Sequence, residues 1–180
     1  MEEDGEDKLG DKDMRKILIV ILISLLPCFC SAQVVNEICG VKFGSTYAQA
    51  KETLERRFGE ADATYSTQET LLYTDKTYAG VFFNGLLFQF QAGVFNKCVF
   101  AVCCKDATDA KNQRDYIAQK LSEKYELYHE IGSDKFKYYV GGTSPVDENE
   151  YGFMLHVQNT DGQWMAMLLY GPYNMVNEEF

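Results

Sequence analysis

The sequence predicts an α+β fold, an antiparallel sheet of six or seven strands with two helices on one face. Three observations carry this. Two stretches repeat apolar residues at helical spacing, six others read as strands bounded by turn residues, and the two kinds recur in the same order after 67 residues. In the first helix Tyr47, Ala50, Leu54 and Phe58 share one face. Thr46 caps its start, Gln49 reaches back to complete a capping box, and Gly59 is the stop. In the second, Ala110, Ile117, Leu121 and Tyr125 form the stripe, with Asp106 or Thr108 as cap.

The strands follow each helix. Thr70–Thr74 is rich in aliphatic and aromatic residues, and Gly80–Gln91 with Phe95–Cys104 reads as a long hairpin around Ala92-Gly93. After the second helix come Lys135–Val140, Tyr151–Asn159 and Gln163–Tyr170, the last two joined through Asp161-Gly162, a strong hairpin turn. Val34–Ile38 is the candidate for an additional edge strand. Phe95–Cys104 is apolar on both parities, which predicts a central strand covered on both faces.

Shifting the chain by 67 residues lays Ala50, Leu54 and Phe58 on Ile117, Leu121 and Tyr125, and Tyr73 on Val140. Gly85, Phe88, Phe90 and Gln91 fall on Gly152, Leu155, Val157 and Gln158, and Phe100 on Met167, without a gap. The expectation is two α-β-β-β half-repeats, about 45–104 and 112–171. Each half is too small to bury its own apolar face, so the two share a core.

Ahead of this domain stands a secretory signal. Met14-Arg15-Lys16 is basic, Ile17–Leu26 is apolar, and Cys30-Ser31-Ala32 supplies small residues before a cut that would leave Gln33 first. The apolar run falls short of the ~20 residues that a membrane-spanning helix needs, so no stable membrane insertion is expected after cleavage. Residues 1–13 carry seven acids against two lysines, the wrong sign for the front of a signal, and read as a start called too early or an extension. The expected location is the periplasm or the extracellular space, with residues 33–180 as one soluble domain.

The whole chain has a formal net charge of −10. Losing residues 1–32, which hold seven acids and four bases, leaves 20 acids and 13 bases, a net charge near −7. With no basic stripe, such a surface repels phosphate backbones and excludes nucleic acid as a partner.

Four cysteines follow the cleavage point: Cys39, Cys98, Cys103 and Cys104. Along one strand, Cys98 is ~16 Å from Cys103 and ~20 Å from Cys104 at ~3.3 Å per residue. A disulfide needs Cα atoms within ~7 Å. What remains is Cys39–Cys98, with Cys103 and Cys104 free or vicinally bonded, or one bridge from Cys39 to Cys103 or Cys104. Cys39–Cys98 is favoured, because it pins the segment before the first helix to the central strand. The pair Cys103-Cys104 lacks C-x-x-C spacing and lies in an apolar strand, where a thiolate is disfavoured.

Chemistry-bearing motifs are sparse. There is no H-E-x-x-H, G-x-S-x-G, phosphate loop or dinucleotide fingerprint, and no cofactor or metal is called for. His156 lies between Leu155 and Val157 as a polar strand residue, and His129 follows the second helix beside Glu126 and Glu130. Asp147-Glu148-Asn149-Glu150 lacks the spacing of a calcium loop. The remaining clue is aromatic: Trp164, Tyr138, Tyr151, Tyr170 and Tyr173 crowd the second half, and such residues suit recognition surfaces.

Two stretches resemble known families. Cys39-Gly40-Val41-Lys42-Phe43-Gly44-Ser45-Thr46 is similar to the entry of the first helix in beta-lactamase-inhibitor-like domains and barrel-assembly lipoproteins. The ending Tyr170-Gly171-Pro172-Tyr173-Asn174 resembles that of small exported proteins of Gram-negative gut bacteria that carry no assigned activity. The first resemblance implies an exported α+β module, with tandem repeats, that binds another protein. It transfers no contact residue. The expectation is therefore a non-enzymatic binding domain for a protein partner. A carbohydrate-binding module, taking a glycan on Trp164 and nearby tyrosines, is the alternative, followed by an enzyme centred on His156 or His129. N-terminal sequencing of protein recovered outside the cytosol should begin at Gln33; recovery of intact chain from cytosol with Met1 attached would reject export.

Overall fold

The computed structural model describes residues 33–132 and 136–175. The leader at 17–26, the acidic residues 1–13 and Lys135 lie outside the described residues. Among the described residues, two helices, α1 (Tyr47–Phe58) and α2 (Ala107–Ser122), accompany nine strands. A small hairpin pairs β1 (Glu37–Ile38) with β2 (Val41–Lys42). The main sheet holds β3 (Thr70–Tyr78), β4 (Val81–Gln91), β5 (Val94–Cys104), β6 (Leu127–Ile131), β7 (Lys137–Thr143), β8 (Tyr151–Thr160) and β9 (Gln163–Tyr170). Its order is β3-β4-β5-β9-β8-β7-β6, antiparallel throughout. The α+β architecture expected from the sequence is present.

Local chemistry sets the helix starts. In α1 the Thr46 N–H donates to Gln49 Oε1 at 3.0 Å and the Gln49 N–H donates to Thr46 Oγ1 at 3.4 Å, the reciprocal pair of a capping box. In α2 the cap is Asp106 and not Thr108, with Asp109 N–H donating to Asp106 Oδ1 at 2.8 Å. Asp109 Oδ2 in turn accepts from the Lys105 N–H at 3.1 Å, so both acids serve the helix start.

Both helices cover one face. Ala50 and Leu54 of α1, and Ala110 and Ile117 of α2, are buried against an inner layer that includes Leu71, Tyr73, Leu86, Phe88, Cys98, Phe100, Phe153, Leu155, Leu168 and Tyr170. Phe58 meets Tyr73 at 5.6 Å between ring centroids, and Tyr125, just past α2, meets Phe153 at 5.1 Å. Phe100 is the hub of this layer, with rings of Tyr78, Phe83, Phe88 and Tyr170 within 5.3–6.0 Å. Such aromatic pairs stabilise by about 0.5–1.5 kcal/mol each beyond their burial.

Several expectations need correcting. Val34–Ile38 is no edge strand of the main sheet: Val34 makes a single parallel bridge to Thr143, and Glu37–Ile38 pairs with β2 instead. Cys39 (φ 56) and Gly40 (φ 85) turn the chain back on itself there. The seventh strand is β6, which pairs Leu127–Ile131 with β7 and brings His129 into the sheet. β3 continues to Tyr78 because Asp75 (φ 53) forms a kink that Asn84 secures, donating to Asp75 Oδ1 at 3.3 Å and accepting from the Cys103 N–H at 2.8 Å. The kink also shifts parity, so Phe83 and Leu86 both face the core. In α2 the buried stripe includes Arg114, whose Nε donates to Asp115 Oδ1 at 3.0 Å and whose NH1 donates to the Lys137 carbonyl.

The offset of 67 residues keeps phase only part of the way. Leu86, Phe88 and Phe90 are buried, and so are Phe153, Leu155 and Val157. In the last strand Phe100 faces the core opposite Leu168, while Met167 points to the other side. The turns Ala92-Gly93 and Asp161-Gly162 are 69 apart, so the second hairpin is longer by two residues and the match requires a gap.

At the end of β9, Gly171 (φ 76) has no room for a side chain: a Cβ there would stand 2.3 Å from the Asn96 carbonyl oxygen. This approach lets the Tyr173 N–H reach the same carbonyl at 2.9 Å and seats its ring edge-on against Phe43 at 4.6 Å. Gly171→Ala should cost at least ~1–3 kcal/mol, against ~2–5 kcal/mol for the cavity left by Leu54→Ala. Chemical denaturation measures both. An unchanged midpoint for Gly171→Ala would reject the packing described for the C-terminal turn.

Candidate functional site

Residues directly opposite one another in adjacent strands share a face, so the register defines rows of side chains across the sheet. On the face away from the helices, one row reads Leu72, Leu87, Val99, Leu169, Met154, Val140, Tyr128 across all seven strands. Every member is apolar or aromatic. All are partly exposed or exposed except Val140, and none of the other six belongs to the core cluster. The next row reads Thr74, Gly85, Ala101, Met167, His156, Tyr138, Glu130. Beyond it Cys103 stands opposite Met165. On the other side, Thr70, Gln89 and Lys97 form a short third row.

This open face corrects the expectation that β5 is covered on both sides. Its inner residues Cys98, Phe100 and Val102 are buried, but Val99 and Ala101 are partly exposed and Cys103 is exposed. The reason is supply: both helices are spent on the inner layer. The sequence signal was present in neighbouring strands too, as adjacent apolar pairs Leu86-Leu87, Met154-Leu155 and Leu168-Leu169. One member of each pair faces the core and the other faces out.

The face is shaped. Towards β6 an aromatic rim forms where the rings of Tyr128 and Tyr151 lie 5.8 Å apart, both side chains about half exposed. The Tyr138 hydroxyl donates to Glu130, and that bond raises the Tyr138 pKa. A hollow of about 170 Å³ lies against Val140, Tyr151, Met154, Leu169 and Pro172. A second, of about 140 Å³, is lined by Tyr138, Met154 and His156. Three methionines, Met154, Met165 and Met167, give this surface flexible and polarisable side chains that adapt to a partner's shape.

The expected site residues separate. Tyr138 and Tyr151 are on the open side with Tyr128, which the sequence reading had not singled out. Tyr170 and Tyr173 are buried, the latter donating its hydroxyl to the Gly152 carbonyl, and neither can form a surface. Trp164 faces the helix side, where its ring meets Phe136 edge-on at 5.7 Å, so no shelf of Trp164 with Tyr138 and Tyr151 exists. His129 takes an inner-row position beside Tyr139, with ring centroids 6.3 Å apart, whereas His156 is on the open face. The two histidines therefore point to opposite sides of the sheet. Asp147 accepts from the Asn149 backbone in a loop turn. Among the described residues no three His, Cys, Asp or Glu side chains converge as metal ligands.

Cys39, Cys98, Cys103 and Cys104 are free thiols, so the expected Cys39–Cys98 bridge is not formed. Cys98 is in the inner layer beside Phe88 and Tyr170, and Cys39 is buried in the turn between β1 and β2. Burial pushes the Cys39 thiol up to about 12, with a smaller opposing pull from Arg57. Burial also pushes Cys98 well above its usual value, with a further rise from Cys39, and Tyr170 is raised chiefly by burial and next by Cys98. Comparison with protein-family models, with curated proteins and with solved structures gave no match to this chain.

These shifts set an alkaline limit. An unfolded thiol loses its proton near pH ~8.5 and a tyrosine near ~10, while the folded groups hold theirs higher. Stability from the buried neutral forms is complete below pH ~8.5 and is lost as pH rises towards the folded values. Thermal melts should hold steady between pH 6 and 8 and fall from about pH 9. A Tm unmoved to pH 11 would contradict the burial of these groups. An onset delayed to the tyrosine range would mean that Cys39 and Cys98 had oxidised to a bridge.

Proposed function

We propose that residues 33–180 are an exported, non-enzymatic binding module that presents the open face of its sheet to a protein partner. The observation that carries this reading is the seven-residue apolar row from Leu72 to Tyr128 on the uncovered side. Soluble monomers seldom expose contiguous apolar patches beyond a few hundred Å², and larger ones mark interaction surfaces. The flanking hollows and the methionines suit side chains from a partner. The basic-apolar-small pattern over 14–32 supports export.

A duplicated ancestry fits the same fold. The order β3-β4-β5 beside β9-β8-β7 is what two three-stranded units would give if joined edge to edge at β5 and β9. Ala50 and Ile117 are both buried helix residues at the offset, and Phe88 and Leu155 are both buried strand residues of the inner layer.

One observation favours a second reading. Tyr128 and Tyr151 are exposed and adjacent, which supports a small glycan contact at the β6–β8 rim without Trp164. Glycan-array binding abolished by Tyr151→Ala, and untouched by Leu169→Lys, would favour it over protein recognition.

The leading reading is tested with a photo-crosslinking amino acid placed at Leu169 on the open face, or at Lys51 on the exposed side of α1 as control. Protein adducts in the native host should form from position 169 and not from 51. Equal yields at both positions, or none at 169, would remove the open face as a binding surface.

A further inference from the structure

We propose that Gln33 is a modification site: once the cut before it has been made, its α-amine and side chain close into a pyroglutamyl ring that blocks the front of the domain. This rests on the export proposed above and on the cut expected between Ala32 and Gln33. Two features of the described chain support it. The front of the domain is anchored from residue 33 onwards, and the reacting part of Gln33 takes no part in the anchor.

The anchor is made on the end of β7. The Thr143 N–H donates to the Gln33 carbonyl at 3.1 Å, and the Val35 N–H donates to the Thr143 carbonyl at 2.9 Å. Val34, between them, forms the parallel bridge to Thr143. Val35 is 1% exposed and belongs to the core. Two glycines make room for it: a Cβ on Gly142 would stand 2.7 Å from Val35 Cγ2, and one on Gly152 would stand 2.5 Å from the same atom. Chain ends are ordered where something ties them down, and here the tie begins at the first residue after the cut. Aminopeptidases start from a free α-amine. Removal of Gln33 would take the acceptor from the Thr143 N–H, and removal as far as Val35 would empty a slot in the core. A ring on the α-nitrogen denies that route its starting point.

The reacting atoms are outside this anchor. Gln33 is exposed, and its bond to β7 runs through the backbone carbonyl, which ring closure leaves untouched. It lines a hollow of about 590 Å³ together with Lys42, Lys124 and Glu37. Two lysines against one glutamate disfavour a further positive charge there, which favours the neutral amine, the form that reacts. The lone pair of the α-nitrogen attacks the side-chain Cδ. The new N–Cδ bond closes a five-membered lactam, the Cδ–Nε2 bond breaks, and the departing nitrogen takes one proton from the α-nitrogen and leaves as ammonia. Nothing is oxidised or reduced, and no co-reactant is consumed. The product carries no terminal charge.

Intact mass spectrometry of the full chain, expressed with its own leader in the native host and recovered outside the cytosol, tests the inference. The mass should be that of residues 33–180 less one ammonia. Tandem spectra of the N-terminal peptide, which read the cut whether or not the ring has closed, should place the loss at Gln33. Gln33→Asn keeps a carboxamide but is one carbon too short for the five-membered ring, and should give its full mass. Deletion of residues 33–35, with the leader joined to Asn36, should lower the Tm. A chain that begins at Gln33 with its full mass would overturn the inference and leave the export proposal standing. A chain that begins elsewhere would overturn it together with the expected cut. Ammonia lost at Asn84-Gly85 and not at Gln33 would also overturn it. A Tm unchanged by the deletion would remove the anchor on which the blocking role depends.

Discussion

A sheet has two sides, and the described residues supply two helices, of 12 and 16 residues, both of which lie on one of them. Most of the rest of the structure follows from that shortage. The inner layer is closed by Ala50, Leu54, Ala110 and Ile117 against a continuous floor of aromatic and aliphatic side chains. The outer layer carries apolar side chains in the same strands but receives no helix. An antiparallel sheet normally resolves this by alternating apolar and polar residues. Here β4, β5, β8 and β9 do not alternate cleanly, because Leu87, Val99, Met154 and Leu169 occupy outward positions where a solvated sheet would place polar residues. On the binding reading proposed above, those are the side chains that a partner would cover.

The inner layer owes its unity to the ladder between β5 and β9. That ladder pairs Cys98 with Tyr170 through to Cys104 with Trp164, residues roughly sixty to seventy apart in sequence. It is the seam at which the first helix and hairpin meet the second. Phe100 sits on the seam, touching aromatic rings from β3 and β4 on one side and Tyr170 on the other. The tail completes the closure at one end of the sheet: Gly171 passes against Asn96, and Tyr173 packs on Phe43, which stacks on Phe95 at 4.6 Å. Residues from both ends of the described chain are thus locked onto the central strands.

What could be read from the sequence was whatever is decided locally. The capping box at Thr46 and Gln49, the stripe Ala50-Leu54 and the Asp161-Gly162 turn all appear where short-range chemistry places them. The misplaced elements depend on distant partners. Leu127–Ile131 has no clear alternation, being mostly exposed, and is a strand only because β7 offers it an edge. Val34 and Ile38 read as strand residues, yet the tight turn at Cys39-Gly40 diverts them into a hairpin of their own. Arg114 was not part of the apolar stripe read from the sequence; a carboxylate at Asp115 and the Lys137 carbonyl make its burial tolerable. The aromatic candidates divided for the same reason, since residue type alone does not say which face of a sheet a side chain occupies. Trp164 and Tyr170 go inward by parity, and Tyr138 goes outward by parity.

The distribution of charge sets the open face apart from the helix side of the described domain. Exposed ionic residues are concentrated on α1, α2 and the connecting loops, for example at Glu52, Lys111 and the segment Asp147–Glu150. An excess of acids repels other acidic surfaces within about a Debye length, ~8 Å at physiological ionic strength, and is largely screened beyond it. The same segregation limits indiscriminate sticking. On the binding reading proposed above, a partner approaching the helix side would meet charged side chains such as Glu52 and Lys111 first. On that reading, the charge on the two described helices and the loops would leave the uncovered side of the sheet as the surface for contact.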